Sequence, residues 1–267
     1  DMTEKRALVT GAGKRLGAAL AVDLARRGHD VAVHYNGSAD GAAAVAHDIE
    51  ALGRKAATLQ ADLTDEAQVA TLVGRAAEAL GGALNVLVNN ASIYEDDTLR
   101  TATRESWDRH IESNLRAPVV LTQAFAAQAP RAPRDHEGDP LPQALVVNMV
   151  DTQVHRPSPD RMSYTVAKMG LHAFTTLAAQ ELAPDIRVNA IGPGWTLPDA
   201  GQDDATFLRT RAAVTPGRGP RPGDICAALG YLLDSPAVTG QTLIVDGGQQ
   251  IDWWGRRKRA RAGGGED

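Results

Sequence analysis

The most constraining feature of the sequence is a regular alternation of short β-branched runs with longer segments of helical spacing. Leu16, Leu20 and Leu24 recur every fourth residue after the first run, and the segments 42–52 and 69–80 repeat this apolar spacing. Most of the β-branched runs are apolar on both faces, as expected of parallel strands covered by helices on each side. The alternation therefore predicts right-handed βαβ units in a doubly wound α/β fold.

A seven-stranded parallel sheet is expected, with helices on both faces, in a single domain over 1–251 that is followed by a basic tail over 252–267. The Pro-rich stretch 129–142 is expected to form a surface loop before a central strand, and the polar stretch 197–222 could cover a cleft. The strands are predicted at 5–10, 30–35, 56–60, 85–90, 143–149, 186–191 and 241–245.

Composition excludes several classes of function. With 33 Asp+Glu against 28 Lys+Arg, the chain is mildly acidic and a poor candidate for nucleic-acid binding. The longest uncharged stretch, 79–94, is too short and too polar to span a membrane, and no secretory signal is expected. The single cysteine, Cys226, cannot form an internal disulfide, which favours a reducing compartment. We therefore expect a soluble, cytoplasmic protein with no metal site.

A glycine-rich turn follows the first strand and opens a helix. In TGAGKRLG (10–17), backbone N–H groups can approach a pyrophosphate, although such a turn alone is also typical of a tight βα connection. The second strand ends in HYNGSAD (34–40) without the carboxylate that would hold a ribose 2′-hydroxyl, because Asp40 is expected in the next helix. Lys14 and Arg15 would attract a 2′-phosphate instead. The sequence therefore predicts NADPH in preference to NADH.

Polar residues also follow the third and fourth strands. Asp62 could accept a hydrogen bond from an adenine amino group or cap a helix, and the sequence leaves both interpretations open. Asn89 and Asn90 end the fourth strand at the carboxyl edge of the sheet, where ligands bind in such folds.

Tyr164 and Lys168 lie four residues apart in SYTVAK, so they share one face of a helix. A lysine ammonium beside a phenol stabilises phenolate, which predicts a lowered tyrosine pKa. The tyrosine could then deliver a proton near neutral pH while a cofactor supplies a hydride. By itself such a pair is more often an ordinary helix surface, but beside a dinucleotide loop it indicates catalysis.

Taken in order, these motifs resemble the short-chain dehydrogenase/reductase family, whose fold is of the Rossmann type. The resemblance rests on the TG-rich loop, NNAS at 89–92, Asn114 in NLRAP, the tyrosine–lysine pair and PG at 193–194, and it covers 5–251. Within the family, the sequence is most similar to pteridine reductases and dihydromonapterin/dihydrofolate reductases. That narrower resemblance rests on TGAGKRLG, HYNGSA, NNASIY, NMVD and YTVAK.

Two departures from the common family pattern favour the narrower resemblance. Arg15 replaces the middle glycine of the usual TGxxxGxG loop, and pteridine reductases carry the same arginine. Asp151 replaces the catalytic serine thirteen positions before the tyrosine. A carboxyl group can accept a hydrogen bond from ring N–H groups, or supply a proton when its pKa is raised, so it suits a nitrogen heterocycle better than a ketone. The alternative is an inactive or differently oriented site.

The resemblance implies a role for each site residue. Tyr164 would donate a proton to a ring nitrogen with help from Asp151, and a pterin would stack on Tyr94. Lys168 would hold the nicotinamide ribose, and Asn114 would anchor a proton relay behind it. The expected catalytic residues are Asp151, Tyr164, Lys168 and Asn114. The expected substrate-binding residues are Arg15, Ser92, Tyr94, Asp151, Tyr164 and Trp195. The expected cofactor-binding residues are Gly11, Lys14, Arg15, Leu16, Tyr35, Asn36, Ser38, Asp62, Leu63, Asn90, Ala91, Ser92, Tyr164, Lys168, Pro193, Gly194 and Thr196.

The resemblance also implies a homotetramer in which long helices pair. The candidate interface residues on the helix from 164 to 182 are Leu171, Phe174, Leu177 and Ala178. Trp253, Trp254 and Arg256 in the tail could enter the active site of a neighbouring subunit, or the tail could be a solvated end.

The expected function is the NADPH-dependent reduction of a pterin- or folate-like heterocycle. One alternative is an NADPH-dependent carbonyl reductase of the same family, acting on a 3-oxoacyl thioester or another ketone. An alternative of another class is a non-catalytic protein that senses nucleotides. Asp151 disfavours the first alternative, and the presence of both Tyr164 and Lys168 disfavours the second.

Overall fold

The computed structural model describes residues 5–199 and 201–251. Seven strands, all paired in parallel, form one sheet in the order β3-β2-β1-β4-β5-β6-β7. The strands are β1 (Arg6–Val9), β2 (Asp30–Tyr35), β3 (Ala56–Gln60), β4 (Val86–Asn89), β5 (Ala144–Met149), β6 (Ile186–Pro193) and β7 (Thr242–Val245). The predicted seven-stranded, doubly wound sheet is confirmed.

Eight α-helices connect the strands within the described residues. They are α1 (Arg15–Arg26), α2 (Ala39–Ala51), α3 (Glu66–Leu80), α4 (Arg104–Ile111), α5 (Ala117–Gln128), α6 (Met162–Leu182), α7 (Asp204–Ala212) and α8 (Pro222–Asp234). A π-helical turn (Glu112–Arg116) joins α4 to α5, and a 3₁₀ turn (Thr152–Val154) follows β5. Helix α7 lies in the stretch 197–222, for which the sequence predicted no helix.

Both faces of the sheet are covered, as the two-sided apolar strands predicted. Leu20, Ile49 and Leu229 pack helices α1, α2 and α8 on one face. On the other face, Leu72 and Phe125 are in the core formed with α3, α5 and α6. The strand order reverses between β1 and β4, so their carboxyl ends leave a crevice at that point, which is where ligands bind in open α/β sheets.

Two features of the surface bear on the expectations. The stretch 129–142 forms a largely exposed loop, as predicted, whose start is held by the Asp185 carboxylate accepting hydrogen bonds from Arg131 and Ala132. Of the candidate interface residues on α6, Leu171 and Ala178 are buried in the core of the same chain, so the prediction that they form a subunit contact is wrong. Leu177 is 63% exposed and remains available.

The predicted tail, with Trp253, Trp254 and Arg256, lies outside the described residues. Within 5–199 and 201–251, no helix has the length and apolar character needed to cross a bilayer. In the same residues, no three His, Cys, Asp or Glu side chains converge in a way that could hold a metal ion.

Candidate active site

Two connected hollows lie along the carboxyl edge of the sheet at the reversal of strand order. The first, here called the groove, has a volume of about 520 Å³ and runs from α1 across the ends of β1 and β2. The second, the inner cavity, has a volume of about 260 Å³ and lies between β5, β6 and α6. The residues common to both are Arg15, Leu16, Asn90 and Ser92.

The structure brings the residues predicted to bind the cofactor together in these two hollows. The groove is lined by Gly11, Lys14, Arg15, Leu16, Tyr35, Asn36, Ser38, Asp62, Leu63, Asn90, Ala91 and Ser92. The inner cavity is lined by Tyr164, Lys168, Pro193, Gly194 and Thr196, together with the predicted substrate residues Arg15, Ser92, Tyr94, Asp151 and Trp195. Among the predicted site residues, Asn114 alone lines neither hollow.

The glycine-rich turn is shaped by close packing at its base. Gly11 adopts a φ of 63°, which glycine tolerates at little cost. A Cβ on Gly17 would overlap the Gly11 carbonyl oxygen, so glycine is required there for α1 to approach the turn. Asn90 donates from Nδ2 to the Thr10 carbonyl oxygen at 2.8 Å, which ties the turn to the end of β4. The first turn of α1 therefore faces the groove with backbone N–H groups available for an anion.

Arg15 is unusual in its backbone as well as in its side chain. Its φ of 55° lies in the left-handed region, and it is the one non-glycine residue with positive φ among those described. That conformation costs a non-glycine residue about 1–2 kcal/mol, which explains why the family pattern has glycine here. The guanidinium donates to the Pro198 carbonyl oxygen at 2.7 Å and so links the turn to the segment after β6.

His34 supports the turn from below, and the sequence analysis missed it. The buried ring accepts a hydrogen bond from Gly11 N–H through Nδ1 at 3.0 Å, so Nε2 carries the proton that is donated to the Ala61 carbonyl oxygen at 3.1 Å. Burial lowers the pKa of His34 to about 4. A histidine in an otherwise apolar strand was the available signal, because a buried polar side chain needs specific partners.

The structure excludes one of the two interpretations of Asp62. The cap of α3 is Asp65, whose side chain accepts hydrogen bonds from Ala67 N and Gln68 N. Asp62 instead accepts from Thr64 N–H and its hydroxyl through Oδ1, at 2.9 and 2.8 Å, and lines the groove. The helix-cap interpretation of Asp62 is therefore wrong, and its carboxylate remains positioned toward the groove.

Of the three predicted catalytic side chains that line the inner cavity, Tyr164 and Lys168 are buried and Asp151 is half-buried, and all three are hydrogen-bonded. Tyr164 donates its hydroxyl proton to Oδ2 of Asp151 at 2.8 Å. Asp151 Oδ1 also accepts from Gln153 N–H at 2.8 Å. Lys168 donates to the Met149 carbonyl oxygen at 2.7 Å, and its Nζ lies 5.7 Å from the centroid of the Tyr164 ring.

Burial governs the proton affinity of all three groups. Burial raises the pKa of the Asp151 carboxyl and lowers that of Lys168 to about 8. It also raises the pKa of Tyr164 well above its ordinary value, and the Asp151 carboxylate adds to this effect. The predicted lowering of the Tyr164 pKa by Lys168 is therefore wrong here, because burial and the adjacent carboxylate outweigh the more distant ammonium. Tyr164 is held as a neutral phenol, which is the form that can give a proton.

Asn114 lies in the π-helical turn and fixes the loop after β4. Its Oδ1 accepts from Ile93 N–H at 2.9 Å, and its Nδ2 donates to the Ile93 carbonyl oxygen at 2.8 Å. The residue thus holds the backbone between Ser92 and Tyr94, both of which line the inner cavity. The hydrogen bonds of its side chain go to this loop, while the ammonium of Lys168 is bonded to Met149.

A second polar network, also missed by the sequence analysis, lies behind Tyr164. Glu95 N–H donates to Nε2 of His110, so Nδ1 carries the proton and donates to Ser163 Oγ at 2.6 Å. Ser163 in turn donates its hydroxyl proton to Asp97 Oδ2 at 2.5 Å, and its backbone N–H donates to Oδ1 at 2.9 Å. Asp97, from the loop after β4, therefore caps the first turn of α6, where Arg161 provides no side-chain cap.

Asp97 is ionised in this network. Burial alone would raise the pKa of its carboxyl, but hydrogen bonds from Ser163 and Ser106 outweigh burial and lower the pKa below its usual value. Because Tyr164 follows Ser163 directly, the Asp97 carboxylate fixes the position of the phenol in the inner cavity. The Asp96–Asp97 doublet after a strand was the only sequence signal for it.

Tyr94 lines the inner cavity and packs against both Tyr164 and Arg161. The Tyr94 ring is 40% exposed and meets the Tyr164 ring edge to face, with centroids 4.7 Å apart. The Arg161 guanidinium lies 4.2 Å from the Tyr94 centroid, in a cation–π arrangement. Tyr94 therefore presents an aromatic surface directly beside the phenol of Tyr164.

Comparison with known proteins places this geometry in a family. Residues 5–207 match the family model described as short chain dehydrogenase. The chain belongs to the short chain dehydrogenase family. Its members are oxidoreductases, and the arrangement of Tyr164, Lys168 and the glycine-rich turn is that of an oxidoreductase site.

Individual relatives within the family carry different activities. A 3-oxoacyl-[acyl-carrier-protein] reductase of Staphylococcus aureus is 32% identical over 252 residues, covering 92% of this chain and 98% of that protein. The solved structure of the FolM alternative dihydrofolate reductase 1 from Brucella canis, complexed with NADP, is 36% identical, with a TM-score of 0.84 and coverage of 94% and 96%. The angucycline C-6 ketoreductase LanV with bound NADP is 29% identical, with a TM-score of 0.83 and coverage of 92% and 96%.

Proposed function

We propose that this chain reduces a pterin- or folate-like heterocycle with NADPH. The observation that carries the proposal is the contact between Asp151 and Tyr164, in which a carboxyl of raised pKa lies 2.8 Å from the catalytic phenol. A carboxyl at this position can bind or protonate ring nitrogens, which a ketone substrate does not require. The likeness to the Brucella dihydrofolate reductase supports the same substrate class.

The cofactor is NADP(H), which is the nucleotide in both solved structures compared above. The residues of the groove fit it. The packed turn at Gly11 and Gly17 leaves room for a pyrophosphate. The end of β2 presents the neutral residues Asn36 and Ser38 to the groove, in place of a carboxylate that would repel a 2′-phosphate. Lys14 and Arg15 supply positive charge on the same wall. When bound, NADPH supplies the hydride.

The proton is supplied by the chain itself. Tyr164, neutral because its pKa is raised, can donate its hydroxyl proton to a ring nitrogen as the neighbouring carbon receives hydride. Asp151 is within hydrogen-bond distance of the resulting phenolate and, when protonated, can return a proton to it. Lys168, with a pKa of about 8, is positive at neutral pH and stabilises that phenolate. A flat ring lying on Tyr94 would be held beside the phenol.

A carbonyl reductase is the second candidate function. The 3-oxoacyl-[acyl-carrier-protein] reductase and the ketoreductase among the relatives favour it, and Tyr164 with Lys168 would serve either reaction. The two proposals differ at Asp151, because an ionised carboxylate can accept a hydrogen bond from a ring N–H group but would repel the oxyanion that develops on a ketone.

A substrate panel separates the candidates. NADPH oxidation is measured with dihydrobiopterin, dihydromonapterin, dihydrofolate and several ketones, including a 3-oxoacyl thioester. We expect turnover of the heterocycles, and a loss of about 100-fold or more for Asp151→Ser, the usual range for a general acid. Asp48→Ser, on the exposed face of α2, is the matched control and should leave turnover unchanged. Preference for ketones would favour the carbonyl reductase, and heterocycle turnover that survives in Asp151→Ser would show that Asp151 does not set the substrate class.

We also propose that the chain assembles as a homotetramer through α6. Val166, Met169 and Leu177 are large apolar side chains exposed along this helix at 41%, 43% and 63%. Such residues repeat on one side of a helix where another helix can cover them. Light scattering with size-exclusion chromatography tests the assembly, and a monomer at working concentration would contradict it.

A further inference from the structure

A third hollow continues outward from the inner cavity and shares one wall with it. This outer cavity has a volume of about 360 Å³. The shared wall consists of the residues that line both cavities, which are Tyr94, Thr152, Gln153, Trp195 and Gln249. None of these five side chains is charged at neutral pH, since burial raises the pKa of Tyr94 to about 12. A substrate ring placed against Tyr94 and Tyr164 would direct a substituent past this neutral wall.

The side-chain amide of Gln249 is fixed in one orientation. Its Oε1 accepts a hydrogen bond from Trp195 N–H at 3.3 Å, and because a backbone N–H group cannot accept, the amide oxygen must lie on that side. A Cβ on Gly194 would overlap with this oxygen, so glycine at that position lets the amide approach the backbone. The NH₂ group of Gln249 is consequently left as a donor for another partner.

The backbone of Gln249 is held by the turn that carries it. Gly248 adopts a φ of 76° in this turn. The Asp246 carboxylate closes the turn by accepting hydrogen bonds from Gly248 N–H and from the Thr152 hydroxyl, each at 2.8 Å. The Gln249 carbonyl oxygen accepts from Arg156 at 3.0 Å. The amide is thus placed on the shared wall before any ligand binds, which reduces the entropy lost on binding.

Gln153 presents a second amide of the same polarity. Its backbone N–H donates to Asp151 Oδ1 at 2.8 Å, and its Oε1 accepts the hydroxyl proton of Thr165 at 2.7 Å. Neither Gln153 Nε2 nor Gln249 Nε2 donates a hydrogen bond to any residue within 5–199 and 201–251, and neither is among the atoms buried there without a partner. Both NH₂ groups are therefore open to a ligand in the cavities that they line.

We propose that Gln153 and Gln249 bind a neutral oxygen atom on the side chain of the substrate, so that the enzyme prefers a heterocycle whose side chain carries an ether, hydroxyl or carbonyl oxygen close to the ring. This inference rests on the proposed function. An NH₂ group only donates, so the site matches an acceptor. A side chain made of carbon alone would displace water from both amides without replacing its hydrogen bonds, and a site of this kind rejects such an analogue.

The charges around the shared wall favour a neutral acceptor over an anion. Arg161, which lines the outer cavity, lies 2.9 Å from Asp96 and 3.6 Å from Asp199 and is paired with both carboxylates. Asp199 also lines the inner cavity, where its charge would repel an anionic group. A neutral oxygen meets the two amides without this repulsion.

The test uses two 7,8-dihydropterins whose substituents at C6, methoxymethyl and propyl, differ only in an oxygen atom against a CH₂ group. Values of kcat and KM are measured with NADPH for the wild type, Gln249→Met, Gln153→Met and Gln249→Glu. We expect the wild type to prefer the methoxymethyl compound about tenfold in kcat/KM, chiefly through KM, as for a hydrogen bond gained against a donor left unpaired. Each methionine variant should reduce this preference to about threefold or less.

The Gln249→Glu variant separates loss of the donor from damage to the turn. The glutamate can still accept from Trp195 N–H, but its second oxygen replaces the donor by an acceptor. The preference for the methoxymethyl compound should therefore vanish or reverse, while Kd for NADPH changes by less than about threefold. Gln123→Met, on the exposed face of α5, is the matched control and should keep the wild-type preference.

The outcomes distinguish this inference from the proposed function. If the wild type reduces both compounds without a preference, or if the preference survives in all three variants of the shared wall, the inference is wrong and the proposed function stands. If neither compound is reduced, the proposed function fails and the inference falls with it.

Discussion

Replacing Asp97 by asparagine exchanges one oxygen atom for an NH₂ group in the network that holds Tyr164. The expected loss of stability follows from the directions of the hydrogen bonds that Asp97 accepts. Asp97 accepts from Ser163 N–H, Ser163 Oγ and Ser106 Oγ at 2.9, 2.5 and 3.1 Å and donates to none of them. An asparagine must direct its NH₂ group toward one side. On the Oδ1 side the NH₂ group faces the Ser163 N–H, which is a donor that cannot reverse.

On the Oδ2 side, the NH₂ group faces Ser163 Oγ, which already accepts the proton of His110 Nδ1. The hydroxyl can accept a second proton, but its own hydrogen then has no acceptor. Either orientation leaves one buried donor unsatisfied, at about 1–3 kcal/mol, and removes the strengthening that the carboxylate charge gives the other bonds. We expect Asp97→Asn to lower the free energy of unfolding by about 2–4 kcal/mol in total. For a chain of this size that corresponds to a fall in Tm of about 4–16 °C.

The assay is urea denaturation followed by circular dichroism, with kcat measured under native conditions. The first turn of α6 should loosen, so kcat should fall while KM for NADPH, which is set mainly by the groove, changes little. Asp108→Asn removes an exposed carboxylate that pairs with Arg104, and it should change stability by less than about 1 kcal/mol. A loss below 1 kcal/mol for Asp97→Asn, with normal kcat, would show that the network does not position Tyr164.

Three further predictions concern the groove. Arg15→Gly should leave the free energy of unfolding within about 1 kcal/mol of the wild type, because relief of the left-handed backbone offsets the added entropy of the unfolded chain. KM for NADPH should rise. A loss of stability above about 2 kcal/mol would contradict this reasoning. Asn36→Asp should shift the ratio of kcat/KM from NADPH toward NADH by at least about tenfold, since a carboxylate at the end of β2 repels a 2′-phosphate and holds a 2′-hydroxyl. Because the unfolded chain protonates His34 near pH 6.5 and the folded chain only near pH 4, stability should be full above pH 6.5 and fall by up to roughly 3 kcal/mol as the pH drops to 4. Denaturation midpoints for the wild type and His34→Gln at pH 7 and pH 4.5 check this, and an equal pH dependence in both would count against it.

The fold was predictable because its pattern is local. Parallel strands buried on both faces produce nearly continuous apolar runs, and glycines such as Gly28, Gly53 and Gly81 end the preceding helices with positive φ. The parallel sheet and the two helical layers follow from the alternation, whereas the order of the strands was not predicted. Helix α7 was not predicted because it buries no side chain fully, so its sequence has no apolar face to recognise.

The site was predictable where motifs carry it and unpredictable where distant residues converge. The turn, Asp151 and Tyr164 lie in recognisable segments. His34 bonds to Gly11, 23 positions away, and Asp97 bonds to Ser163, 66 positions away. A single polar residue in a sequence does not show which distant residue it will contact. The pKa of Tyr164 was mispredicted because spacing on a helix reveals neither the depth of burial nor the carboxylate across the cavity. The cytoplasmic location and the role of the tail stay predictions.

The long loop over 129–142 has a practical consequence that follows from its place in the sheet. It enters β5 at the amino end of the strand, whereas Asp151 and the groove lie past the carboxyl ends, so the whole depth of the sheet separates the loop from the chemistry. Its tip is exposed and is held at its base by Asp185. This loop is therefore the natural attachment point for a fluorescent label, an affinity tag or an immobilising support on a working enzyme.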